Sequence, residues 1–301
     1  MSEPAPVRLL VNPVAGRGRA LRRLDAARHA LERVGPFDVV QTRASGDESR
    51  LASEAVRDGV QTLVVLGGDG TVSRVAGALL HSNTSLAILG AGTGNDLAKS
   101  LGAPVFDFAA MAERIQRNAP RLIDVGDVNG QTFVNALGVG FDVAVLERTT
   151  RARWLRGNAL YAVTALGALF QYRGFHASID AGSDAAERST PEPRDHWLTI
   201  VIANGQWFGG AFRIAPAASL SDGQLDLVAI ADAPPFRRLR LFGAAPWGRH
   251  TRAREVRTSQ GSTVSLHFNS PPLYQADGEL YTASSSSLHI RAIPNALRVI
   301  T

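Results

Sequence analysis

A glycine-rich turn directly follows a short β-branched run early in the chain, and this pairing narrows the range of folds sharply. Residues 63–71 read Leu-Val-Val-Leu-Gly-Gly-Asp-Gly-Thr. The run predicts a buried strand, and glycines without a Cβ can take unusual dihedrals that bring backbone N–H groups close to phosphate oxygens. A second apolar run, Leu86 to Leu89, is followed by a second turn, Gly90-Ala-Gly-Thr-Gly-Asn-Asp-Leu-Ala98. Two such turns after two strands predict one nucleotide site.

The first part of the chain alternates between strand and helix patterns. Val7–Val11, Phe37–Thr42 and Leu63–Leu66 are strand-like. Between the first two, apolar residues recur at helical spacing, namely Leu21, Leu24, Ala27, Leu31 and Val34. This order predicts a parallel sheet with helices on both faces, and ligands of such sheets bind at the carboxyl ends of the strands. Both glycine turns fall at those ends.

The pattern changes near residue 122. Asn129-Gly130 separates two strand-like runs, which is a strong hairpin signal. Later strand-like stretches, at His196–Ala203, Gln224–Ala231 and Thr263–Phe268, favour an antiparallel sandwich. We therefore predict an α/β nucleotide-binding domain over residues 1–124 and a β-rich substrate domain over 125–287. The segment 288–301 either completes the second domain or returns to the first.

Composition excludes several classes of protein. A chain of 301 residues exceeds the usual size of a single core, so two domains are expected. The absence of cysteine excludes disulfides, thiolate metal sites and a cysteine nucleophile. Lys99 is the only lysine, which rules out a Walker-type phosphate loop, and the seven histidines show no metal-ligand spacing. The N-terminal residues do not resemble a signal peptide, so a cytoplasmic protein is expected.

Arginine supplies nearly all of the positive charge, and it occurs in clusters. The clusters are Arg148, Arg151, Arg153 and Arg156; Arg237, Arg238 and Arg240; and Arg249, Arg252, Arg254 and Arg257. They suit phosphates of lipid head groups or of nucleic acid, although each could also be a solvated helix face. The apolar stretch Asn158–Tyr172 is too short to cross a bilayer and predicts a buried or cleft-lining helix, or alternatively an interfacial helix. The polar segment Gly182–Asp195 reads as an exposed connection.

Several further motifs stand in a fixed order with the two glycine turns. They are Val11-Asn-Pro-Val-Ala-Gly16, Gly138-Val-Gly-Phe-Asp142, Ala203-Asn-Gly205, Gly209-Gly210, Pro216, Asp222-Gly-Gln-Leu-Asp226 and Gln275-Ala-Asp-Gly-Glu279. With these motifs the chain resembles, nearly end to end, the diacylglycerol kinase catalytic family, which includes bacterial diacylglycerol kinases and sphingosine kinases. The resemblance implies an ATP-dependent lipid kinase with an α/β domain, an antiparallel β-sandwich domain and an active site in the interdomain cleft. It also favours a partial return of the C-terminal segment to the first domain.

The predicted nucleotide site centres on Gly67–Ser73, where a helix beginning near Thr71 points its positive end at the phosphates. Asp69 is placed to influence a magnesium ion or bound water. Thr42 and Thr93 enter through the resemblance, and Asn95 could alternatively be an ordinary helix N-cap. The full predicted set is Asn12, Thr42, Gly67, Gly68, Asp69, Gly70, Thr71, Val72, Ser73, Thr93, Asn95 and Asp96.

Asp277 and Glu279 flank a glycine near the end of the chain. Residues i and i+2 of an extended strand share one face, so both carboxylates could point into one cleft. One could accept a proton while the other holds a metal or tunes the pKa of the first. By resemblance Glu279 is the proton acceptor, and Asp69 completes the predicted catalytic set. The alternative is an ordinary Asp-Gly turn.

A second metal element is implied by the resemblance at Asp222-Gly-Gln-Leu-Asp226. The pattern assigns a structural Mg²⁺ to the side chain of Asp222 and the carbonyls of Ser219 and Gln224, which are hard oxygen ligands. A hairpin turn is the alternative.

The expected partner is a hydroxyl lipid at the inner face of the membrane, reached peripherally and without a transmembrane span. Nucleic acid is not expected as a partner, and a homodimer is left open. One rival is an NAD kinase-like enzyme, which shares the Gly-Gly-Asp-Gly turn but carries an Asn-Glu element where this chain has Gly-Thr-Gly-Asn-Asp. Another rival is a catalytically silent lipid or nucleic-acid binder, against which Asp69, Asp277 and Glu279 argue.

Overall fold

The computed structural model describes residues 6–44, 46–151, 167, 169–181 and 196–301. The chain divides into two compact units. The first comprises residues 1–125, 220–223 and 293–301, and the second comprises residues 126–219 and 224–292.

The first unit is built on a parallel sheet. Its strands are β1 (Val7–Val11), β2 (Phe37–Gln41), β3 (Thr62–Gly67) and β4 (Ser85–Gly90). All pair in parallel in the order β2-β1-β3-β4, and every residue of β3 and β4 is buried. A strand that is apolar along its whole length is typical of a parallel sheet covered on both faces. The predicted α/β architecture is therefore confirmed for this unit.

Five helices accompany this sheet in the described part of the first unit. They are α1 (Ala15–Leu31), α2 (Asp47–Arg57), α3 (Asp69–Leu79), α4 (Asp96–Ser100) and α5 (Phe108–Arg117). In α1 the side chains of Leu24, Ala27 and Leu31 are buried at helical spacing, as predicted. Leu21 is 52% exposed, so its assignment to the core face was wrong.

The second unit is antiparallel. Its strands are β5 (Arg121–Val128), β6 (Gln131–Phe133), β7 (Ala136–Gly140), β8 (Phe175–Ala181), β9 (His196–Ala203), β10 (Leu225–Ala231), β11 (Val256–Gly261), β12 (Thr263–Phe268), β13 (Leu273–Ala276), β14 (Glu279–Thr282) and β15 (Ser287–Val299). Asn129 and Gly130, at φ +50° and φ +90°, form the predicted hairpin turn between β5 and β6. Trp197 and Phe133 are among the large side chains of the core.

The first strand and the last strand of this set each run through both units. Residues 121–125 of β5 and residues 293–299 of β15 belong to the first unit. In the second unit Arg291 of β15 pairs antiparallel with Thr263, whereas Val299 pairs in parallel with Leu86 of β4. The end of the chain thus adds to the parallel sheet.

Two helices of the second unit pack on β9 and β10. They are α6 (Phe141–Arg151) and α7 (Pro235–Ala244), and two 3-10 turns follow α7, Ala245–Trp247 and Arg249–Arg252. The Gly182–Asp195 prediction, most of the Asn158–Tyr172 prediction, and Arg153 and Arg156 lie outside the described residues. Every helix in the described part of the chain is too short or too polar to cross a membrane.

Candidate active site

In the first unit, the loops that follow β1, β3 and β4 meet at the carboxyl ends of the strands. Asn12 Nδ2, after β1, donates a hydrogen bond of 2.9 Å to Thr71 Oγ1 in α3. Gly16 adopts φ +58° and lies against the second glycine turn, where an added Cβ would stand 1.9 Å from Ala91 O. The topology of a parallel sheet places these loops together, at the edge where ligands of such sheets bind.

The two glycine turns pack backbone against backbone. A Cβ on Gly92 would lie 2.8 Å from Gly68 Cα, closer than a side chain tolerates. Gly68 itself is extended, at φ −103° and ψ −177°, and neither Gly67 nor Gly70 has a positive φ. The expectation that these three glycines adopt unusual dihedrals was therefore wrong. Gly67 and Gly68 are needed for close approach instead, because an added Cβ would lie 2.7 Å from Thr71 Cβ at Gly67 and 3.3 Å from Gly92 Cα at Gly68.

Helix α3 begins at Asp69, two residues before the predicted start. The N-cap residue is Gly68, which has no side chain that could accept a hydrogen bond from the N–H groups of the first turn. A Cβ added to Gly70 would meet no heavy atom within 4 Å. Unsatisfied N–H groups and the helix dipole make such an end a binding site for phosphate.

Asp69 joins the two glycine turns. Its Oδ2 accepts the N–H of Asn95 at 2.7 Å, and its Oδ1 accepts the N–H of Asp96 at 2.6 Å. Asn95 occupies the N-cap position of α4 with φ +54°, but its side chain bonds to both the N–H and the C=O of Gly92, each at 3.1 Å. The N-cap alternative is thus right about position and wrong about the side chain, because Asp69 satisfies the start of α4.

The other residues predicted to contact nucleotide also lie in the first unit. Thr71 and Val72 are buried in α3, and Ser73 is half-buried. Thr42 is buried directly after β2, whereas Thr93 is exposed between its two glycines. Their contacts with nucleotide remain predictions.

Glu48 was missed by the sequence reasoning. Its side chain is 2% exposed in the first turn of α2, where Oε1 accepts Asn12 Nδ2 at 3.3 Å and Arg74 Nη1 at 3.4 Å. Oε2 accepts the N–H of Gly46 at 3.1 Å. A buried carboxylate therefore holds Asn12 toward Thr71. The signal in the sequence was an acidic pair directly after Gly46, a frequent start of a helix.

In the second unit, the predicted catalytic pair lies on a hairpin. Asp277 and Gly278 have φ +49° and φ +85° and form a two-residue turn between β13 and β14. These signs are those of the type I′ turn that Asp-Gly favours. The prediction that Asp277 and Glu279 share one face of an extended strand was therefore wrong, and the turn alternative describes Asp277. Glu279 is the first residue of β14.

The Asp277 carboxylate is bound by the backbone of the segment between β6 and β7. It accepts the N–H groups of Val134 at 2.8 Å, Asn135 at 2.9 Å and Ala136 at 3.1 Å. The N–H of Asp277 donates in return to Ala136 O at 2.9 Å. Hydrogen bonds from three amides to one ionised acceptor fix the turn firmly.

The hairpin is held from a second direction by Gln275. This buried residue accepts the N–H of Gly278 on Oε1 at 2.7 Å. Glu279 is half-buried, and its Oε2 accepts the hydroxyl of Tyr281 at 3.3 Å. The Tyr281 ring stacks on Tyr274 with centroids 5.4 Å apart. Glu279 thus extends from a turn that is fixed on both sides.

Asp142 lies close to Gln275 of this hairpin. The sequence analysis included it in a motif but assigned it no role. Its Oδ1 accepts the hydroxyl of Thr199 at 2.9 Å. Its Oδ2 and the nearby Gln275 Nε2 are buried without a well-directed hydrogen bond, and both crowd Gly138, where an added Cβ would lie 1.9 Å from Oδ2. Burial raises the pKa of Asp142 to about 6, against the opposing effect of the Thr199 hydrogen bond.

The predicted metal loop begins with an exposed Asp222, and Gly223 makes the predicted tight turn at φ +73°. The N–H of Gly223 donates to Asp124 Oδ2 at 2.6 Å, and Asp124 Oδ1 accepts the N–H of Asn295 at 2.8 Å. Asp124, 1% exposed, therefore ties this loop to the end of the chain. Ser219 and Gln224 are half-buried, and ligation by these residues remains a prediction. Among the described residues, no group of three or more His, Asp or Glu side chains could hold a metal.

Two family models match the chain. The diacylglycerol kinase catalytic domain matches residues 6–128. A C-terminal domain described as the YegS C-terminal NAD kinase β-sandwich-like domain matches residues 135–301. The two matches cover the glycine turns and the Asp277 hairpin, respectively.

Individual relatives agree with these matches. A diacylglycerol kinase of Mycobacterium tuberculosis (strain ATCC 25618 / H37Rv) is 32% identical over 306 residues, which cover 99% of this chain and 96% of the relative. A probable YegS-like lipid kinase of Pseudomonas syringae pv. syringae (strain B728a) is 32% identical over 87% of this chain and 83% of the relative. A diacylglycerol kinase crystal structure from Bacillus anthracis str. Sterne superposes with a TM-score of 0.78 at 22% identity, covering 100% of this chain and 98% of that one, and so supports the fold. The chain belongs to the diacylglycerol kinase family, together with the YegS-like proteins, and is a lipid kinase.

Proposed function

We propose that this lipid kinase transfers the γ-phosphate of ATP to a hydroxyl group of a membrane lipid, such as diacylglycerol or a sphingoid base. Membership of a kinase family implies the use of ATP. The name of the Mycobacterium tuberculosis relative favours diacylglycerol. The enzyme then meets its acceptor at the surface of a bilayer.

The observation that carries the proposal is the pair of hydrogen bonds by which Asp69 joins the two glycine turns, next to the open space beside Gly70 in the first turn of α3. Both turns follow parallel strands, so the N-terminus of α3 lies at the edge of the sheet where ligands bind, and its helix dipole favours phosphate there. That combination fits a triphosphate. ATP supplies the phosphoryl group, and the chain supplies the N–H groups that hold it.

Mg²⁺ fits the same donor set in part. Each oxygen of Asp69 accepts one N–H group and retains a second lone pair, with which it can orient metal-bound water. When bound, the ion would neutralise charge on the phosphates. A separate Mg²⁺ at Asp222 is part of the proposal as well, because an exposed carboxylate suits an ion that keeps several of its waters.

We assign proton removal to Glu279. The lipid hydroxyl oxygen attacks the γ-phosphorus, the bond from that phosphorus to the β–γ bridging oxygen breaks, and ADP leaves. The hydroxyl proton passes to the Glu279 carboxylate, whose orientation is supported by the Tyr281 hydroxyl. Asp277 has a positioning role in this scheme, because its carboxylate already binds three backbone N–H groups.

The decisive experiment measures transfer of radiolabelled phosphate from ATP to a panel of hydroxyl lipids. Glu279→Gln should lower turnover by about 10² or more, the scale of general-base catalysis, and leave ATP binding and the melting temperature unchanged. Glu113→Gln, at an exposed position of α5, is the matched control and should keep full turnover. Wild-type turnover in a folded Glu279→Gln variant would remove this residue from the base role.

One observation keeps a second acceptor in view. The C-terminal family model is described as similar to the β-sandwich of NAD kinases. NAD therefore belongs in the panel as a parallel acceptor. Transfer to NAD with no transfer to any lipid would overturn the proposed acceptor class.

A further inference from the structure

Helix α7 presents apolar side chains outward as well as inward. Its inner positions, Arg238 and Leu241, are buried. Phe236 is 70% exposed, Leu239 is 49% exposed, and Trp247, in the following 3-10 turn, is 68% exposed. Residues three or four apart share one helix face, so Phe236 and Leu239 form a short exposed stripe, and the 3-10 turn that carries Trp247 packs against the same helix.

The orientation of α7 is fixed by its buried arginine. The Arg238 guanidinium donates to the carbonyl oxygens of Ala233 at 2.6 Å, Leu169 at 2.6 Å and Tyr172 at 2.8 Å, and it also pairs with Asp232. Leu241 packs in the core beside it. These contacts hold the inner face of α7 against the core. Phe236 and Leu239 therefore point outward in the folded protein.

The surroundings of this stripe are strongly positive. Residues 232–257 contain seven arginines, one aspartate and one glutamate. The aspartate pairs with Arg238, and Glu255 pairs with Arg237 and Arg254. The other exposed arginines are Arg240, Arg249, Arg252 and Arg257, and the guanidinium of Arg257 lies 5.3 Å from the centroid of the Trp197 ring. Any partner must therefore accept apolar side chains and offer negative charge beside them.

We propose that the α7 surface, formed by Phe236, Leu239, Arg240, Trp247, Arg249 and Arg252, docks on an anionic phospholipid bilayer. Aromatic and leucine side chains enter the boundary between head groups and acyl chains, where tryptophan is enriched, and arginines bind lipid phosphates. The inference rests on the proposed function only in that a lipid acceptor brings the enzyme to a bilayer. Binding itself requires no catalysis.

The same observations disfavour a second copy of the chain. A symmetric dimer through this surface would place the patch that contains Arg240, Arg249 and Arg252 against the same positive patch of the second copy, and like charges across an interface repel. A bilayer offers an apolar interior directly beneath negatively charged phosphates. It can therefore accept the exposed apolar side chains and the arginines of this surface together.

The test compares two matched pairs of variants by sedimentation with vesicles. Phe236→Ser with Leu239→Ser is set against Leu21→Ser with Phe106→Ser, which removes one exposed leucine and one exposed phenylalanine from the first unit. Arg240→Gln with Arg252→Gln is set against Arg28→Gln with Arg117→Gln, which are exposed arginines of α1 and α5. Vesicles contain phosphatidylglycerol in phosphatidylcholine, or phosphatidylcholine alone.

The wild type should pellet with the anionic vesicles and less so with phosphatidylcholine or at high salt. Losing two arginines should weaken binding by about thirty-fold, since each is worth about 1 kcal/mol near an anionic surface, and losing the apolar pair by about tenfold or more. Both control pairs should bind as the wild type does. All variants should keep wild-type turnover on a short-chain lipid that is soluble without vesicles.

Three results would overturn the docking surface. These are unchanged binding in both α7 variants, equal losses in the control variants, and loss of a dimer in size-exclusion chromatography with vesicle binding intact. Absence of turnover on the soluble lipid in the wild type would instead contradict the proposed acceptor, whatever the vesicle result.

Discussion

Asp69 in the first unit and Asp277 in the second show the same device used to different extents. The sequence predicts a catalytic role for both, yet each carboxylate binds backbone N–H groups from a distant segment of its own unit. Asp69 accepts from two, at 2.7 Å and 2.6 Å. Asp277 accepts from three, at 2.8–3.1 Å.

The number of bound N–H groups distinguishes a carboxylate that only holds the backbone from one that can also bind a ligand. Each oxygen of Asp69 holds one N–H group and retains capacity for a water molecule, whereas Asp277 Oδ1 already holds two. A carboxylate that accepts more backbone hydrogen bonds has less capacity left to bind water, metal or substrate. Asp69 can therefore combine a structural role with ion binding, and Asp277 acts mainly by fixing the position of Glu279.

The largest expected effect comes from removing these carboxylates. Asp277→Ala should lower the free energy of unfolding by about 3 kcal/mol or more, because three amides lose an ionised acceptor, and Asp69→Ala by about 2 kcal/mol. Amide hydrogen exchange without nucleotide provides a local measurement. It should accelerate at residues 134–136 in the first variant and at residues 95 and 96 in the second.

Each of these variants serves as the control for the other, because the amides of the other unit should exchange at the wild-type rate. Asp25→Ala, which removes an exposed carboxylate from α1, should change neither segment. If Asp69→Ala proved more costly than Asp277→Ala, the ranking by number of donors would be wrong.

Asp142 extends the comparison to a buried carboxylate that accepts the Thr199 hydroxyl, and here the expected effect depends on pH. Burial raises its pKa from 3.8 to about 6 in the folded chain. Between about pH 4 and pH 6, Asp142 therefore keeps a proton in the folded state that it has lost in the unfolded state. The stability that this group contributes is fully present below about pH 4 and is lost as the pH rises through about 6.

Asp142→Asn removes this dependence. The stability of the variant relative to the wild type should increase by at most about 3 kcal/mol between about pH 4 and pH 7. Guanidinium unfolding at a series of pH values measures the difference. Thr199→Val removes the hydrogen bond that lowers this pKa, so the same loss of stability should move to higher pH. Parallel pH profiles for the wild type and Asp142→Asn would contradict the account.

Strands and turns could be predicted because their signals are local. β1, β9 and β12 have the bounds that the sequence indicates, at Val7–Val11, His196–Ala203 and Thr263–Phe268. The Asn129-Gly130 hairpin follows from the φ > 0 requirement of its turn type. The ends of parallel strands then locate the glycine turns without any further information.

The carboxylate contacts could not be predicted, because their partners are remote in sequence. Asp277 and Val134 are 143 residues apart, and Asn12 and Glu48 are 36 apart. Burial of Glu48 and Asp142 likewise depends on packing between elements, which a periodic pattern does not contain. The extended-strand interpretation of Asp277 and Glu279 failed for a local reason, since Asp-Gly is also a preferred hairpin turn and the sequence offers both conformations.

The smallest expected effect distinguishes the two purposes of glycine in the first unit. Gly70→Ala adds a methyl group where no protein atom lies within 4 Å, so the melting temperature without nucleotide should not fall. The same methyl would occupy the space that we assign to phosphate, and affinity for ATP in isothermal titration should weaken about tenfold, or roughly 1.4 kcal/mol.

Gly92→Ala is the matched comparison, because its Cβ would lie 2.8 Å from Gly68 Cα. This variant should lower the melting temperature even without nucleotide, since the two turns must separate to admit the methyl group. The two variants therefore add the same methyl group, once into open space and once against the backbone of the neighbouring turn. If Gly70→Ala bound ATP with wild-type affinity while remaining folded, the space at the start of α3 would not hold the phosphates, and Asp69 would lose its proposed part in binding the metal.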